Sequence, residues 1–248
     1  MYNPFSLKDK TILITGASSG IGMATAVECS RMGARVVITA RNEERLINTL
    51  NLLSGDGHSY FVGDMTEDVA LDNLVDLLPA LDGVVNNAGV TKTVPVQFIK
   101  KKAIDDILSV NTVAPILLTQ QLTKKKKIRQ GGSIVFTSSI SGIYCSSVAS
   151  SLYSTSKGAI NGFIKGVALD LAPRGIRVNS VNPGMIDTNI YSEGFITKEQ
   201  LELDMLKYPL KRYGKPEEVA YAIIYFLSDA SKWVTGSNLL IDGGYTLL

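Results

Sequence analysis

Short apolar runs alternate with amphipathic stretches along the whole of this 248-residue chain, and that alternation restricts the fold more than any other feature. Residues 10–16 (KTILITG), 34–40 (ARVVITA), 58–62, 81–85, 133–138, 177–181 and 238–241 read as strands. They are nearly continuous in apolar character, as strands buried on both faces should be. Residues 21–32, the stretch to about residue 53, and residues 67–78, 101–128, 153–171 and 217–227 carry helical periodicity. Pro115 lies inside the longest of these and is expected to kink it. Strands alternating with helices predict βαβ units and a doubly wound α/β domain. The sheet is expected to have seven, mainly parallel strands, in one domain over residues 1–248. Residues 187–208 are the least regular and read as a flap or a short helical insertion.

Composition narrows the chemistry. Hydrophobic residues make up 45% of the chain and charged residues 19%, which supports a large core and rules out intrinsic disorder. Net charge is +2, so nothing marks the chain as a whole as a nucleic-acid or membrane-surface protein. There is one histidine, His58, and there are two cysteines, Cys29 and Cys145. A His-based triad would have to use His58, and a zinc site has too few soft ligands, so no metal is expected. Acid/base chemistry must therefore come from Tyr, Lys, Asp, Glu or Cys. The N-terminal residues lack a signal h-region and no apolar run reaches the roughly 18 residues needed to span a bilayer. The expectation is a cytoplasmic protein with reduced thiols.

After the first strand the chain reads Thr15-Gly16-Ala17-Ser18-Ser19-Gly20-Ile21-Gly22, opening the first helix. Three glycines let backbone approach a pyrophosphate closely, and the helix N-terminus offers free N–H groups and the positive end of its dipole. The spacing is G-x-x-x-G-x-G, which departs from the common G-x-G-x-x-G fingerprint. The competing reading is a Gly-rich turn that binds nothing. At the end of the second strand, where dinucleotide folds often place an acid for the ribose hydroxyls, stand Ala40 and Arg41. A guanidinium there suits a 2′-phosphate, a planar bidentate target. Otherwise Arg41 is a solvated residue before a helix.

Tyr153 and Lys157 stand at i and i+4, on one face of a helix. Of ten tyrosines, this one alone has Lys four residues later. A free phenol, with a pKa of ~10, is a poor base at neutral pH, and lowering it by ~3 units takes about 4 kcal/mol. A nearby ammonium in a partly dry cleft, helped by an oxidised nicotinamide ring, would supply that.

Taken together, these pieces resemble the short-chain dehydrogenase/reductase family. The matching residues come in the family's order: TGASSGIG at 15–22, Asp64, NNAG at 86–89, Asn111, Ser139, YSTSK at 153–157, NPGMIDT at 182–188, and a closing stretch from Gly214 to Gly244. The resemblance implies a Rossmann-type fold, a nicotinamide cofactor and, for a chain this short, a likeness to 3-oxoacyl-[acyl-carrier-protein] reductases. It implies that Tyr153 is the general acid/base, that Lys157 lowers its pKa and holds the nicotinamide ribose, and that Ser139 bonds the substrate oxygen. Asn111 would sit at a break in the long helix, its carbonyl holding a water on a relay to Lys157. Gly16, Ser18, Ser19, Gly20, Ile21 and Gly22 would hold the pyrophosphate and Arg41 the 2′-phosphate of NADP(H). Asp64 and Met65 would meet the adenine, and Asn87, Ala88 and Gly89 the adenosine ribose. Pro183, Gly184, Ile186 and Thr188 would flank the nicotinamide, with Thr188 near its carboxamide. The implied reaction is carbonyl reduction or the reverse alcohol oxidation. Alternatives are reduction of a free small alcohol's ketone, a sugar or a steroid, or a non-catalytic binding protein of the same fold. A homotetramer is also implied.

The sequence departs from the family at two places. Ser139 precedes Tyr153 by fourteen residues, one more than usual, and the extra residue is assigned to the loop 142–151. Ser138 is an adjacent rival, but Ser139 matches the family's S-x-x-G through Gly142. Ser19 stands where many NADP users carry Arg or Lys, so cofactor choice rests on Arg41. Lys124, Lys125, Lys126, Lys127 and Arg129 form the densest charge run. It is either a solvated helix end or, with Arg174, a docking patch for an acidic acyl carrier protein. Cys145 reads as a small core residue or as part of the site mouth, His58 as a strand-edge residue without a role, and Tyr144, Met185 and Tyr191 as substrate-wall candidates.

Overall fold

The computed structural model describes residues 2–188 and 198–248. Seven strands form one sheet in the order β3-β2-β1-β4-β5-β6-β7, and every pairing is parallel. In chain order the elements are β1 (Thr11–Thr15), α1 (Gly20–Arg31), β2 (Arg35–Ala40), α2 (Glu43–Leu50), β3 (Ser59–Val62), α3 (Asp68–Leu77) and β4 (Leu81–Asn86). There follow α4 (Lys101–Leu108), α5 (Ala114–Lys124), β5 (Ile128–Thr137), α6 (Ser151–Leu171), β6 (Arg177–Pro183), α7 (Lys198–Met205), α8 (Pro216–Leu227) and β7 (Asn238–Ile241).

Alternating side chains send the central strands into two cores. Ile12 and Ile14 of β1 pack with Ala26 and Cys29 of α1 and Val219 and Ile223 of α8. Leu13 between them faces the other way, into a layer with Leu71 and Leu74 of α3, Leu118 of α5 and Ile160 and Ile164 of α6. Burying both faces is why the strands read as unbroken apolar runs. Phe136 is fully buried in the second layer with its ring edge-on to Phe163, and truncation to Ala would cost about 3–5 kcal/mol. The order reverses between β1 and β4, which opens a crevice at the carboxyl ends of those strands.

The helix expected over residues 101–128 is not continuous. It divides into α4, a wide π-helical turn over Ser109–Val113, and α5. The irregularity precedes Pro115, which sits in the first turn of α5 where its missing amide is no loss. Asn111 and Thr112 are buried in the π turn and bond to neighbouring elements, so the turn is held from outside the helix. The helix stops at Lys124 through a C-terminal motif with Lys126 in the left-handed region (φ 52°), its amide on Thr123 O and that of Lys127 on Leu122 O. Strand β5 then starts at Ile128, five residues ahead of the expected Ser133, because Ile128 pairs with Leu81 before a bulge. Helix α2 ends at Leu50, short of residue 53, and α6 begins at Ser151. His58 precedes β3, and its Nδ1 accepts the Val36 amide while its Nε2 faces Ser54 O, so it stitches β2 to the turn before β3. Of the irregular stretch 187–208, α7 is helical, and residues 189–197 lie outside the described residues.

Candidate active site

The crevice is floored by the turn from β1 into α1. Gly16 has φ +65°, and a Cβ there would stand 2.7 Å from Ala88 Cα. A Cβ on Gly22 would stand 2.2 Å from Gly16 O and 2.5 Å from Asn87 Nδ2. Asn87 holds the turn from the next strand: its Nδ2 donates to Thr15 O at 3.2 Å and Gly16 O at 3.3 Å. The amides of Asn87 and Ala88 both donate to Thr15 Oγ1 at 3.0 Å. Ser19 makes no side-chain cap bond and the first turn of α1 carries no acid. A side-chain-free cradle at an uncapped, acid-free helix start fits the pyrophosphate of a dinucleotide. Ser18 is half-buried, Ser19 is exposed, and Ile21 packs against the α1–α8 core.

Arg41 follows β2 directly and precedes Asn42, whose side chain caps α2 by accepting the Arg45 amide. Its guanidinium is largely exposed and lies 3.6 Å from Asp64 Oδ2. Asp64 Oδ1 accepts from Thr66 N at 3.0 Å and Thr66 Oγ1 at 2.8 Å. Partial burial alone would raise the Asp64 carboxyl, but the Thr66 bonds and the Arg41 charge outweigh it and hold the group below its ordinary value. Met65 packs against the second core layer.

Tyr153, Lys157, Ser139 and Asn111 come together at the carboxyl ends of β4 and β5. Tyr153 and Lys157 share one face of α6, with Lys157 Nζ 5.9 Å from the Tyr153 ring centroid. The Ser139 side chain lies beside the Tyr153 hydroxyl. Burial pushes the phenol above its ordinary value and the nearby Ser139 hydroxyl opposes that. Without cofactor the direction is thus opposite to the one expected from Lys157. The reason is geometric: Lys157 Nζ donates to Thr137 O at 2.8 Å and is itself buried, which pushes the ammonium down to about 8. Gly89 leaves the space over that ammonium open, since a Cβ there would stand 3.5 Å from Lys157 Nζ and 3.3 Å from Asn111 Oδ1. Asn111 lies in the π turn, where a break was expected. Its side chain is engaged by Val90 N (2.8 Å), Val90 O (2.9 Å) and Ser156 Oγ (3.0 Å).

Ser138 turns away from Tyr153 and bonds Lys157 O at 3.2 Å and Asn161 Nδ2 at 3.0 Å. The loop after Ser139 is pinned onto α6 by close backbone packing: Gly142 has φ +99°, and a Cβ there would stand 2.3 Å from Ser154 O. On the far wall, Pro183 ends β6 and accepts the Ile140 amide, and Gly184 N donates to Ile241 O. Ile186 is buried and bridges to Gly214. A Cβ on Gly20 would stand 3.3 Å from Thr188 Cγ2, so Thr188 reaches back to the pyrophosphate cradle. Tyr144 and Met185 are partly exposed, and Tyr191 lies outside the described residues. Cys145 is half-buried in the loop after Ser139, and burial and then the Asp242 charge raise its thiol. Sequence reasoning missed Thr137, whose carbonyl receives Lys157, and the buried amides of Asn161 and Asn182. A backbone acceptor leaves no sequence signal, whereas an Asn on an apolar helix face does.

The charge run does not lie at this site. Arg129 stands at the start of ten-residue β5 and Ser139 beyond its end, about 30 Å apart at ~3.3 Å per residue. Lys125 pairs with Asp76, Lys127 Nζ donates to Asp76 O and Leu78 O, Arg129 pairs with Asp82, and Arg174 donates to Ile128 O. Lys125, Lys127 and Arg129 brace α3 and β4 from the foot of the sheet, while Lys124 and Lys126 are exposed at the end of α5. Among the described residues no cluster of His, Cys, Asp and Glu is placed to hold a metal, and no helix is long and apolar enough to cross a membrane.

A family model described as enoyl-(acyl carrier protein) reductase matches residues 16–246. The 3-oxoacyl-[acyl-carrier-protein] reductase of Rickettsia prowazekii is 34% identical over 242 residues, covering 98% of this chain and 99% of that protein. Cyclopentanol dehydrogenase of a Comamonas species is also 34% identical, over 247 residues, covering 97% and 98%. The crystal structure of a short-chain type dehydrogenase/reductase from Mycobacterium marinum superposes with a TM-score of 0.88 at 32% identity, covering 99% and 98% of the two chains.

Proposed function

The chain belongs to the short-chain dehydrogenase/reductase family, an oxidoreductase family that uses NAD or NADP, and from that premise we propose that it is an NADP(H)-dependent 3-oxoacyl-[acyl-carrier-protein] reductase. The observation that carries the catalytic reading is Tyr153, set beside Ser139 and one helical turn from the buried Lys157 ammonium, with Lys157 Nζ 5.9 Å from its ring centroid. Arg41 carries the preference for NADP(H), because a cation takes the place of the ribose-binding acid.

A bound nicotinamide supplies the hydride in reduction and takes it in oxidation. Ser139 and Tyr153 orient the substrate carbonyl by hydrogen bonds to its oxygen. As the carbonyl carbon gains hydride, the Tyr153 O–H bond breaks and its proton passes to the substrate oxygen, leaving a secondary alcohol and a phenolate. Lys157, charged below about pH 8, stabilises that phenolate once its ammonium is shared between Thr137 O and the cleft. The π turn at Asn111 lies on the route by which Lys157 would be reprotonated from solvent. Asn87 and the Gly16–Gly22 cradle fix the distance between bound cofactor and Tyr153. The proposed place of action is the cytoplasm, as a homotetramer.

A second reading is supported by the equal identity to cyclopentanol dehydrogenase and by the bracing role of the basic run: oxidation of a free secondary alcohol. The experiment follows NADPH oxidation with a carrier-linked 3-oxobutanoyl thioester and with cyclopentanone. Reduction of the thioester is expected. Turnover of cyclopentanone alone moves the assignment to the alcohol.

A further inference from the structure

Behind Ser139, where α6 lies on β5, β6 and β7, four amide and hydroxyl side chains are buried in a closed network. Asn161 is one turn beyond Lys157, on a helix face otherwise made of Ile160, Ile164 and Ala168. Its Nδ2 donates to Ser138 Oγ and to Lys157 O, both at 3.0 Å. Its Oδ1 accepts from Ser180 Oγ at 3.2 Å and from Asn182 Nδ2 at 3.1 Å. Asn182 Nδ2 also donates to Ser139 O at 2.9 Å. Ser180 Oγ, with a single proton, has Asn182 Oδ1 at 2.7 Å and Asn238 Oδ1 at 3.0 Å as further acceptors. Asn161, Asn182, Ser138 and Ser180 are all buried.

We propose that Asn161 and Asn182 are positioning residues: they lock the Ser139 backbone to the Lys157 turn of α6 and so hold the Ser139 hydroxyl on Tyr153. An aliphatic side chain would fill the same place on the apolar face of α6 without the desolvation that a buried amide requires, so packing gives no reason for the amide. Both Nδ2 protons of Asn161 and both of Asn182 find acceptors, which fixes how the two amides are turned. The amides so fixed join the two segments that carry Ser139 and Lys157. The network reaches the substrate-facing groups only through the Ser139 carbonyl and the α6 backbone, which makes it orienting and not catalytic. A displacement of about 1 Å at a reacting group is enough to cost a hundredfold in rate.

The inference rests on the reading of Tyr153 and Ser139 given above, and its test separates the two. Tyrosine labelled at 13Cζ gives one resonance for each of the ten tyrosines, and the resonance absent from Tyr153→Phe is that of Tyr153. Asn161→Leu and Asn182→Ala are each expected to shift that resonance in the same direction as Ser139→Ala. Neither should shift it further when combined with Ser139→Ala. With a 3-oxobutanoyl thioester and NADPH, kcat should fall about tenfold in each single variant, and cofactor affinity by fluorescence titration should stay within twofold. A role in folding alone would give effects that add to those of Ser139→Ala. Such additivity, or an unmoved Tyr153 resonance in both variants, overturns the proposal. Should Asn161→Leu not fold, Asn182→Ala decides by the same criteria. If Tyr153→Phe keeps its turnover while the resonances behave as expected, the catalytic reading is wrong and the positioning network stands.

Discussion

Asn111 and Val90 are joined by two opposed hydrogen bonds: Asn111 Oδ1 accepts the Val90 amide at 2.8 Å, and Asn111 Nδ2 donates to the Val90 carbonyl at 2.9 Å. The side chain therefore clamps the loop after β4 to the π turn, and a third bond ties it to Ser156 on α6. Asn111→Ala would leave buried partners unsatisfied at a cost of about 1–3 kcal/mol each, partly recovered by water. The expected net loss of about 2–3 kcal/mol corresponds to a fall in Tm of roughly 5–10 °C for a chain of this size. Tyr153→Phe, which removes one oxygen at a largely buried position facing the crevice, should leave Tm within about 2 °C. Thermal unfolding of both variants checks the contrast, and equal Tm values would show that the Asn111 clamp contributes nothing.

Tyr153→Phe should instead lower kcat by a factor of about 10² or more, as loss of a positioned acid/base does. Cofactor titration should be unchanged in this variant and weakened in Lys157→Ala. Near-normal turnover without the hydroxyl would remove Tyr153 from the chemistry.

How much of this was legible depends on where each signal resides. The central strands and their faces were legible because burial on both sides leaves runs such as Ile12–Ile14 apolar. Tyr153 and Lys157 were legible because helical spacing alone puts them on one face. The break at Asn111 was implied by the family resemblance and not by the residue pattern, since apolar periodicity runs through Ser109–Val113 and the widened turn is held by contacts to Val90 and Ser156. The first half of β5 was hidden by Arg129-Gln130-Gly131-Gly132, which reads as a turn until Leu81 supplies a partner for Ile128. The partners of the basic run were hidden for the same reason: Asp76 and Asp82 are about fifty residues away in sequence.

Lys157 also makes stability depend on pH with a definite sign. Its ammonium, ordinarily near 10.5, is pushed down to about 8 by burial. Below pH 8 the folded state carries a buried charge and the penalty is fully present. Between pH 8 and 10.5 the folded state releases a proton that the unfolded state keeps, so stability rises across that window. The penalty at pH 7 is of order 3 kcal/mol at ~1.36 kcal/mol per unit. Lys157→Met removes it and loses the Thr137 bond, worth ~1 kcal/mol. Urea unfolding should therefore show Lys157→Met about 2 kcal/mol more stable than the parent at pH 7, with the gap closing as pH rises and the order reversing at pH ~10. A parent more stable than the variant at pH 7 would mean that the ammonium is solvated in the free protein.

Arg41 makes the cofactor prediction. Its guanidinium, just after β2, is turned toward Asp64 at 3.6 Å, so a 2′-phosphate bound by Arg41 would compete with that carboxylate. NADPH is expected to bind more tightly than NADH, and Arg41→Ala to reduce the ratio by about tenfold, the low end for a charged hydrogen bond at an exposed position. Asp64→Asn should raise the ratio by a few fold, as expected for a surface pair worth ~0.2–1 kcal/mol. Fluorescence titration with both cofactors measures all three, and a preference for NADH in the parent chain would overturn the assignment.

A carrier-protein substrate makes one further demand, that an acidic partner find cations it can reach. Arg129 and Arg174 are poor choices for testing it, because reversing their charge would break the pair with Asp82 and the bond to Ile128. Among the described residues Lys124 and Lys126 form no ion pair, and both are exposed at the end of α5, alternating with the engaged Lys125 and Lys127. They stand at the foot of the sheet, about 30 Å from their own Ser139, so a carrier docked there would serve the crevice of another subunit. Lys124→Glu with Lys126→Glu leaves the intrachain braces intact and reverses the accessible charge. For a carrier-linked 3-oxobutanoyl thioester, KM should then rise severalfold, and added salt should produce the same rise in the parent. For the coenzyme A thioester, KM should not change. If KM for both thioesters responds alike, or neither responds, the run does nothing beyond bracing α3 and β4, and the free-alcohol reading takes precedence.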